Sequence, residues 1–281
     1  SKNLGPNTYS TIAEEIKQNY ALQHEQKETF IKAVTEGLSK PPVYFPLNAS
    51  INQKGYNSLD SIKITGLKPL QIDDVKQFTQ QDVIILDTRP AAVFTSGFIP
   101  GSISIGLEGR FAEWAGALIP FNKPIVIVAE SGKEEETLIR LSRVGLDNII
   151  GYVKGGFDAW KNAHEEVDMI IDIEADELKM DLNYDPKMIV VDVRKNVEFE
   201  NGHVKSAVNI PLDTMTDILT MSKFEDTDNI YVHCAGGYRS VIASSLLKKQ
   251  GIHNLRNVVG GYEQIKQIPE MPLVAAKEML N

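Results

Sequence analysis

The chain has little cysteine, few histidines and no long apolar run, and each of these features excludes a class of protein or a kind of site. A single cysteine among 281 residues excludes an internal disulfide framework, and residues 1–5 lack the basic-then-apolar pattern of a signal peptide; both favour a reducing cytoplasm. No stretch reaches the roughly 18 unbroken apolar residues of a membrane helix, so no membrane association is expected. The five histidines are not spaced as metal ligands, so we expect no metal in this chain. We expect no other cofactor in it either.

Basic residues are also in deficit. The 29 Lys and Arg residues against 38 Asp and Glu residues give a net charge of −9. Binding of nucleic acid through its phosphates needs a clustered Lys/Arg face, so we predict no nucleic-acid partner. Apolar residues make up 42% and charged residues 24%, which is ordinary for a globular protein, and the length predicts about two domains with room for a smaller piece.

The sequence repeats itself at a long offset. The apolar runs 83–89 and 188–194 both end in Asp-x-Arg, and Asp87 lies 105 positions before Asp192. Three further pairs recur at the same offset: 97–105 with 202–210, 125–128 with 230–233, and the double glycines 155–156 with 260–261. A period of this length indicates a duplicated domain rather than a solenoid.

Each copy alternates short apolar runs with helical patterns. Such runs are typical of strands buried on both faces, and the alternation predicts a parallel sheet flanked by helices. The predicted fold class is α/β with two tandem domains, 63–165 and 166–281, preceded by a helical and extended segment, 1–62. In the second domain we expect Asp192 and Arg194 to have a structural role near the site, pairing with each other where the strand ends.

The second copy carries a loop suited to a nucleophile. An apolar strand runs into Cys234, Gly236 and Gly237 follow, and a helix is predicted to begin near Arg239 or Ser240. N–H groups that turn inward at a helix N-terminus bind anions and stabilise a thiolate. Arg239 adds a cation suited to oxyanions. We therefore predict Cys234 and Arg239 as catalytic residues.

The number of residues between Cys234 and Arg239 distinguishes this loop from the phosphate-binding loop of tyrosine phosphatases. Four residues lie between Cys234 and Arg239, one fewer than in the Cys-x5-Arg loops of tyrosine phosphatases, so the pocket is smaller. His233, just before the nucleophile, is predicted to end the strand rather than to act as a base. The residues predicted to form the substrate-binding loop are Ala235, Gly236, Gly237, Tyr238 and Ser240.

Together, the Asp-x-Arg strand end, the segment 202–210, the Cys-x4-Arg loop and the closing double glycine resemble the rhodanese family. The resemblance implies that Cys234 attacks the sulfane sulfur of thiosulfate or of a low-molecular-weight persulfide. The Cys234 persulfide would then pass its outer sulfur to a thiol, sulfite or cyanide acceptor. Arg239 would bind the anionic part of the donor or hold the loop. The implied partners are these small molecules, and homo-oligomerisation stays open.

The first copy lacks this chemistry. At the offset of 105, Ala129 stands where Cys234 stands and Glu134 where Arg239 stands, and two further acids follow. Three successive acids would repel an anionic donor, although they also suit the start of a helix. We predict a degenerate, non-catalytic rhodanese domain that serves as a scaffold or docking surface.

The segment 1–62 resembles the C-terminal end of the metallo-β-lactamase-fold domain in persulfide dioxygenase–rhodanese fusions. The resemblance rests on Leu-Gly-x-x-x-x-Ser-Thr-Ile at 4–12, Ala-Val-Thr-Glu-Gly-Leu at 33–38 and Pro-Pro-x-Tyr-Phe-Pro at 41–46. The sequence predicts an amphipathic helix with one face formed by Phe30, Ile31, Val34 and Leu38, and an extended Pro-rich run over 41–48.

The metal-binding cluster of that domain is missing from this sequence. A non-haem iron is therefore expected only in a missing upstream domain of a longer parent protein, and iron-dependent oxygenation cannot run on this chain alone. The family resemblance places the sulfur transfer within sulfide and persulfide detoxification.

Two other interpretations stay open. A Cdc25-like phosphatase or arsenate reductase also uses a cysteine loop, but the four-residue spacing argues against it. A non-catalytic binding module fits the first copy, but the intact loop around Cys234 argues against it for the second.

Overall fold

The computed structural model describes residues 9–35, 44–55, 57–222, 224–225 and 227–275, with the backbone alone at 47, 218 and 221. The chain divides into two compact units, residues 1–42 and residues 43–281. Within the described ranges, every helix is too short or too polar to cross a membrane.

The first unit is helical. It contains α1 (Ile12–Gln18), a 3-10 helix (Tyr20–Gln23) and α2 (Lys27–Thr35). Thr11 begins α1 with a capping box, since its hydroxyl accepts the Glu14 N–H while the Glu14 carboxylate accepts the Thr11 N–H. The predicted amphipathic helix is confirmed over Phe30, Ile31 and Val34, and the predicted position of Leu38 lies outside the described residues.

The second unit begins with α3 (Phe45–Lys54) and α4 (Leu59–Gly66). The extended run predicted over 41–48 is wrong from Phe45 onward. Pro46 lies in the first turn of α3, where a helix needs no N–H donor, so proline starts the helix instead of preventing it. Residues 41–43 lie outside the described residues. The boundary predicted between 62 and 63 falls inside α4, whose Ile62 is buried in the core of the first copy.

The first copy forms a parallel sheet flanked by helices. Its strands are β1 (Pro69–Leu70), β2 (Ile84–Asp87), β3 (Ile103–Ser104), β4 (Ile125–Val128) and β5 (Ile149–Val153). Its helices are α5 (Ile72–Thr79), α6 (Ala91–Thr95), α7 (Phe111–Leu118), α8 (Glu134–Ser142) and α9 (Gly156–Asn162). The strand order is β1-β5-β4-β2-β3, and every residue of β2 and β4 is buried, as their continuous apolar runs predict.

The second copy repeats this plan. Its strands are β6 (Ile171–Ile173), β7 (Met188–Asp192), β8 (Gly202–Val204), β9 (Val208–Asn209), β10 (Asn229–His233), β11 (Leu255–Val258) and β12 (Leu273–Ala275). Its helices are α10 (Ala175–Asp181), α11 (Asn196–Glu200), a 3-10 helix (Leu212–Thr214), α12 (Ile218–Met221), α13 (Tyr238–Lys249) and α14 (Gly261–Ile265). The parallel sheet has the order β6-β11-β10-β7-β9, and β8 pairs with β12 in a separate antiparallel ribbon. The predicted α/β fold with two tandem sheets is confirmed.

The two copies pack against each other along α13. One continuous cluster of buried apolar side chains includes Ile103 of the first copy and Ile242 of the second. The backbone N–H of Ser104 donates to the Ser245 hydroxyl at 3.0 Å, so α13 lies against the edge strand β3. The helix that follows the cysteine loop therefore belongs to the interface between the copies.

Candidate active site

Cys234 lies directly after β10, the central strand of the second sheet. Open parallel sheets bind ligands at the carboxyl ends of their strands, because loops and helix N-termini converge there. The Cys234 side chain is 1% exposed. The loop that follows therefore controls what can approach the sulfur.

The loop from Cys234 to α13 turns its backbone toward the sulfur. The Gly237 N–H donates to Cys234 Sγ across 3.1 Å. Gly237 has a φ of 104°, a left-handed conformation that residues with a side chain disfavour. Helix α13 begins at Tyr238, one residue before the predicted start, and the Ser240 hydroxyl lies 3.7 Å from Sγ. A thiolate here would face a backbone donor and the positive end of a 12-residue helix.

The carbonyls of the same loop are held from the other side by α14. The Tyr262 N–H donates to the Cys234 carbonyl at 2.7 Å, and the Glu263 N–H donates to the Ala235 carbonyl at 3.0 Å. Gly261 has a φ of 56°, and a Cβ on it would collide with the Cys234 carbonyl and lie 2.8 Å from that of Ala235. The double glycine thus lets α14 bind the loop carbonyls. In the sequence, only the recurrence of the double glycine in both copies pointed to such a role.

Arg239 is held by the carboxylate of Glu198, a residue that belongs to none of the motifs of the sequence. Its two terminal nitrogens donate to the two oxygens of Glu198 at 2.7 and 2.8 Å. Glu198 lies in α11 and also accepts the Lys195 N–H at 3.0 Å. The hydrogen bonds from Arg239 lower the pKa of Glu198 to about 2, and the same pairing raises the pKa of Arg239. The only signal for Glu198 in the sequence is an acid in the first turn of a short helix.

The Asp-x-Arg pairs form buried ion pairs below both loops. In the second copy Arg194 donates to Asp192 at 2.6 Å and to the Gly202 carbonyl at 2.7 Å. In the first copy Arg89 donates to Asp87 at 2.6 Å and to the Gly97 carbonyl at 2.9 Å. The guanidinium of Arg194 also lies 3.9 Å from the ring centre of Tyr262. The pair therefore supports the strand end and the helix α14 that holds the cysteine loop.

His233 ends β10 as predicted, and it is completely buried. Its Nδ1 atom lies 3.3 Å from the Cys234 carbonyl, and its Nε2 atom has no hydrogen-bond partner among the described residues. Burial lowers the pKa of His233, which keeps the ring neutral near pH 7. No hydrogen bond in the described part of the chain joins this ring to the sulfur.

The first copy keeps the backbone plan without the cysteine. Ala129 follows β4, and a Cβ on Gly156 would lie 2.9 Å from the Ala129 carbonyl, matching the closeness of Gly261 to Cys234. A cavity of about 180 Å³ beside it is lined by Glu108, Glu130, Glu136 and Lys133 among others. Among the described residues that line this cavity, Thr88 has the only hydroxyl group and none has a thiol.

A cleft of about 320 Å³ lies between the two copies, beside the cysteine loop, and we call it the interdomain cleft. The first copy contributes Pro90, Ala91, Ala92, Thr95, Gly106 and Glu108, and the second contributes Asp172, Gly236, Gly237, Tyr238, Val241, Asn257, Val259 and Gly260. The Tyr238 hydroxyl donates to the Gly106 carbonyl at 2.8 Å, so the loop is anchored on the other domain.

Two features of the described residues concern ligands other than sulfur compounds. No group of three or more His, Cys, Asp and Glu side chains in the described ranges could hold a metal ion. A larger cavity of about 470 Å³ lies between α3, α4 and the end of α8 and shares no residue with the cysteine loop. The interdomain cleft is therefore the cavity to be considered with Cys234.

Comparison with known families finds the duplication again. A family model for the rhodanese-like domain matches the chain twice, over residues 72–163 and 174–268. A Bacillus subtilis protein named as a candidate sulfur carrier, YrkF, is 32% identical over 108 residues, which cover 38% of this chain and 55% of that protein. A tRNA uridine(34) hydroxylase of Yersinia pestis is 32% identical over 93 residues, covering 32% of this chain and 26% of that enzyme. The chain thus spans about half or less of the curated relatives described.

Solved structures give matches of the same kind. A rhodanese-like domain protein from Staphylococcus aureus is 33% identical, with 34% of this chain and 91% of that chain covered and a TM-score of 0.32. A thiosulfate sulfurtransferase from Pseudomonas aeruginosa is 15% identical, with 75% of this chain and 44% of that chain covered and a TM-score of 0.34.

Proposed function

This chain belongs to the rhodanese-like domain family, and on that basis we propose that it is a sulfurtransferase whose nucleophile is Cys234. The observation that carries the proposal is the hydrogen bond from the Gly237 N–H to Cys234 Sγ at the N-terminus of α13. A backbone donor and a helix N-terminus stabilise the thiolate, which is the attacking form of cysteine.

The proposed reaction has two sulfur-transfer steps. The Cys234 thiolate attacks the outer sulfur of thiosulfate or of a low-molecular-weight persulfide. The sulfur–sulfur bond of the donor breaks, a new one forms at Cys234, and the donor leaves as sulfite or as a thiolate. A thiol, sulfite or cyanide acceptor then attacks the outer sulfur and the Cys234 thiolate is released. The electrons balance without an external oxidant or reductant, so the transfer needs no redox cofactor.

Arg239 fits the second of its two predicted roles, that of holding the loop. Both of its terminal nitrogens bind Glu198, and this pair ties the first turn of α13 to α11. A guanidinium committed to one carboxylate at both ends has little capacity left for a substrate anion. We therefore propose Arg239 as a positioning residue for the cysteine loop.

The wider role is proposed from the family resemblance. We propose that the chain acts in sulfide and persulfide detoxification in the cytoplasm, as the rhodanese end of a fusion with a metallo-β-lactamase-fold persulfide dioxygenase. Support comes from the sequence resemblance of the segment 1–62. The described residues do not fit an iron site, so no step of the proposed reaction passes through iron.

The test is the intact mass of the purified chain after incubation with thiosulfate and, separately, with glutathione persulfide. We expect a gain of one sulfur atom that a thiol removes. The variant Cys234→Ser should fold normally and show no gain. A folded protein that gains no sulfur from either donor would contradict the proposal, and turnover of an aryl phosphate by that protein would favour the phosphatase alternative.

A further inference from the structure

The interdomain cleft contains two carboxylates and no opposing charge. Glu108 of the first copy and Asp172 of the second are its charged lining residues, and its described lining includes no Lys, Arg or His. Neither carboxylate takes part in an ion pair within the part of the chain that the structure describes. A ligand that enters this cleft therefore meets negative charge on both walls.

A buried amide beside Asp172 lacks one of its partners. Asn257 is 4% exposed, and the strand register places it next to Asp172, to whose carboxylate it donates at 2.7 Å. The Thr95 hydroxyl donates to the other oxygen of Asp172 at 2.6 Å. The Oδ1 atom of Asn257 has no hydrogen-bond partner among the described residues. Buried polar atoms are normally paired, so Asn257 adds an unpaired acceptor to the wall of the cleft.

Arg239, the cationic residue nearest to Cys234 in the sequence, does not neutralise the two carboxylates of the cleft. Arg239 is already bound at both ends by Glu198. A dianionic donor such as thiosulfate thus finds hydrogen-bond acceptors and carboxylates in the cleft, rather than a free cation. The chemistry of the cleft suits a group that is positively charged and donates hydrogen bonds.

We infer that the interdomain cleft binds an ammonium group of the sulfur substrate, which is then a small aminothiol persulfide. This inference rests on the proposed sulfurtransferase function and specifies its substrate class. A primary ammonium carries three donors, enough for Glu108, Asp172 and the Asn257 amide oxygen. The volume of the cleft, about 320 Å³, suits a molecule of amino-acid size.

In this arrangement the cleft holds the part of the substrate that does not react. The Cys234 thiolate attacks the outer sulfur of R–S–SH, the bond between the two donor sulfurs breaks, and the aminothiol leaves as R–S⁻. The outer sulfur and its proton remain on Cys234 as the persulfide. The glycines of the loop, Gly236 and Gly237, line the cleft, so the bound substrate lies against the segment that surrounds Sγ.

The experiment compares two donors that differ in the ammonium group. Cysteine persulfide and N-acetylcysteine persulfide are prepared in situ, and the rate at which each loads Cys234 is followed by intact mass. Each rate is divided by that donor's rate with a free small thiol, which removes the difference in intrinsic reactivity. We expect the wild-type chain to prefer the ammonium-bearing donor by about fivefold, the scale of an ion pair near the surface.

Variants of the two carboxylates test whether that preference comes from the cleft. In the double variant Glu108→Gln, Asp172→Asn the preference should fall toward one. Glu108→Gln alone, on an exposed side chain, should reduce it by about twofold and serves if the double variant does not fold. Asp213→Asn removes an exposed acid outside the cleft and should leave the preference unchanged.

Equal normalised loading by the two persulfides, or a preference that persists when the cleft acids are neutralised, would overturn the ammonium site and leave the sulfurtransferase proposal intact. A folded chain that neither persulfide nor thiosulfate loads would overturn both proposals.

Discussion

At the scale of single residues, the position of Cys234 depends on a glycine that takes no part in the chemistry. Gly261 adopts a left-handed conformation, and its α-carbon lies against the carbonyls of Cys234 and Ala235. In Gly261→Ala the new methyl group collides with backbone, so the loop must move. We expect sulfur loading of Cys234 to fall at least about tenfold and the free energy of unfolding to drop by about 2 kcal/mol. Intact mass and urea denaturation measure the two effects.

Gly251 provides the matched control. It has a φ of 91°, and no atom lies within 4 Å of the position that its Cβ would occupy. Gly251→Ala should therefore cost about 1 kcal/mol of backbone strain while sulfur loading stays at the wild-type rate. Equal loading by the two alanine variants would show that Gly261 does not position the cysteine loop.

At the scale of secondary-structure elements, the pair between Arg239 and Glu198 joins α13 to α11. The pKa of Glu198 is about 2 in the folded chain, against an ordinary value of 4.5. The pair thus contributes its full stability above pH 4.5 and loses it as the pH falls toward 2. We expect Glu198→Gln to lower the free energy of unfolding at pH 7 by about 1 kcal/mol, after allowance for partial exposure, and the gap from wild type to narrow below pH 4.5.

Urea denaturation at pH 7, 4.5 and 3 measures that gap. Glu200 is the control, because it lies in the same helix and its side chain is exposed. Glu200→Gln should follow the wild-type stability at every pH. A difference between wild type and Glu198→Gln that stays constant from pH 7 to pH 3 would contradict the role given to the ion pair.

At the scale of the two-copy unit, the first copy supports the cysteine loop of the second. The Tyr238 hydroxyl crosses the interface to the Gly106 carbonyl, and the tyrosine ring packs on Gly109. We expect Tyr238→Phe to lower the free energy of unfolding by about 1 kcal/mol, because a part-buried carbonyl loses its donor. Sulfur loading of Cys234 should slow severalfold, since the loop loses its anchor on the first copy.

Urea denaturation and intact mass again give the two values. Tyr184→Phe removes a hydroxyl from a side chain that is 85% exposed and should change neither. If Tyr238→Phe matched Tyr184→Phe in both measurements, the first copy would not act as a scaffold for the loop. It would then remain a candidate docking surface.

Sequence patterns predicted the parts of this molecule that depend on neighbouring residues. The buried strands appear as continuous apolar runs because parallel sheets are covered on both faces. The cysteine loop was predictable because Cys234, its two glycines and the start of the helix lie within six residues. The extended run predicted from Phe45 onward was wrong because proline, although typical of extended chain, is also common in a first helical turn.

The parts that sequence reasoning missed depend on distant residues. Glu198 lies 41 positions before its partner Arg239, and nothing local to either residue indicates the pairing. The interdomain cleft brings Glu108 to the same cavity as Asp172, and only the packing of the two copies creates it. Periodicity and motif spacing describe one element at a time, so they do not predict contacts between elements.

The two buried Asp-x-Arg pairs have a consequence for how the halves of this chain can diverge. Both arginines hold their aspartates at 2.6 Å, although one pair lies near the loop of Cys234 and the other near the loop of Ala129. The ion pair is thus the same whether a cysteine or an alanine follows the strand, so it serves the fold of each copy and does not depend on a thiol. The first copy is therefore an internal reference within the chain, because it keeps the ion pair of the sheet and has Ala129 where the second copy has Cys234.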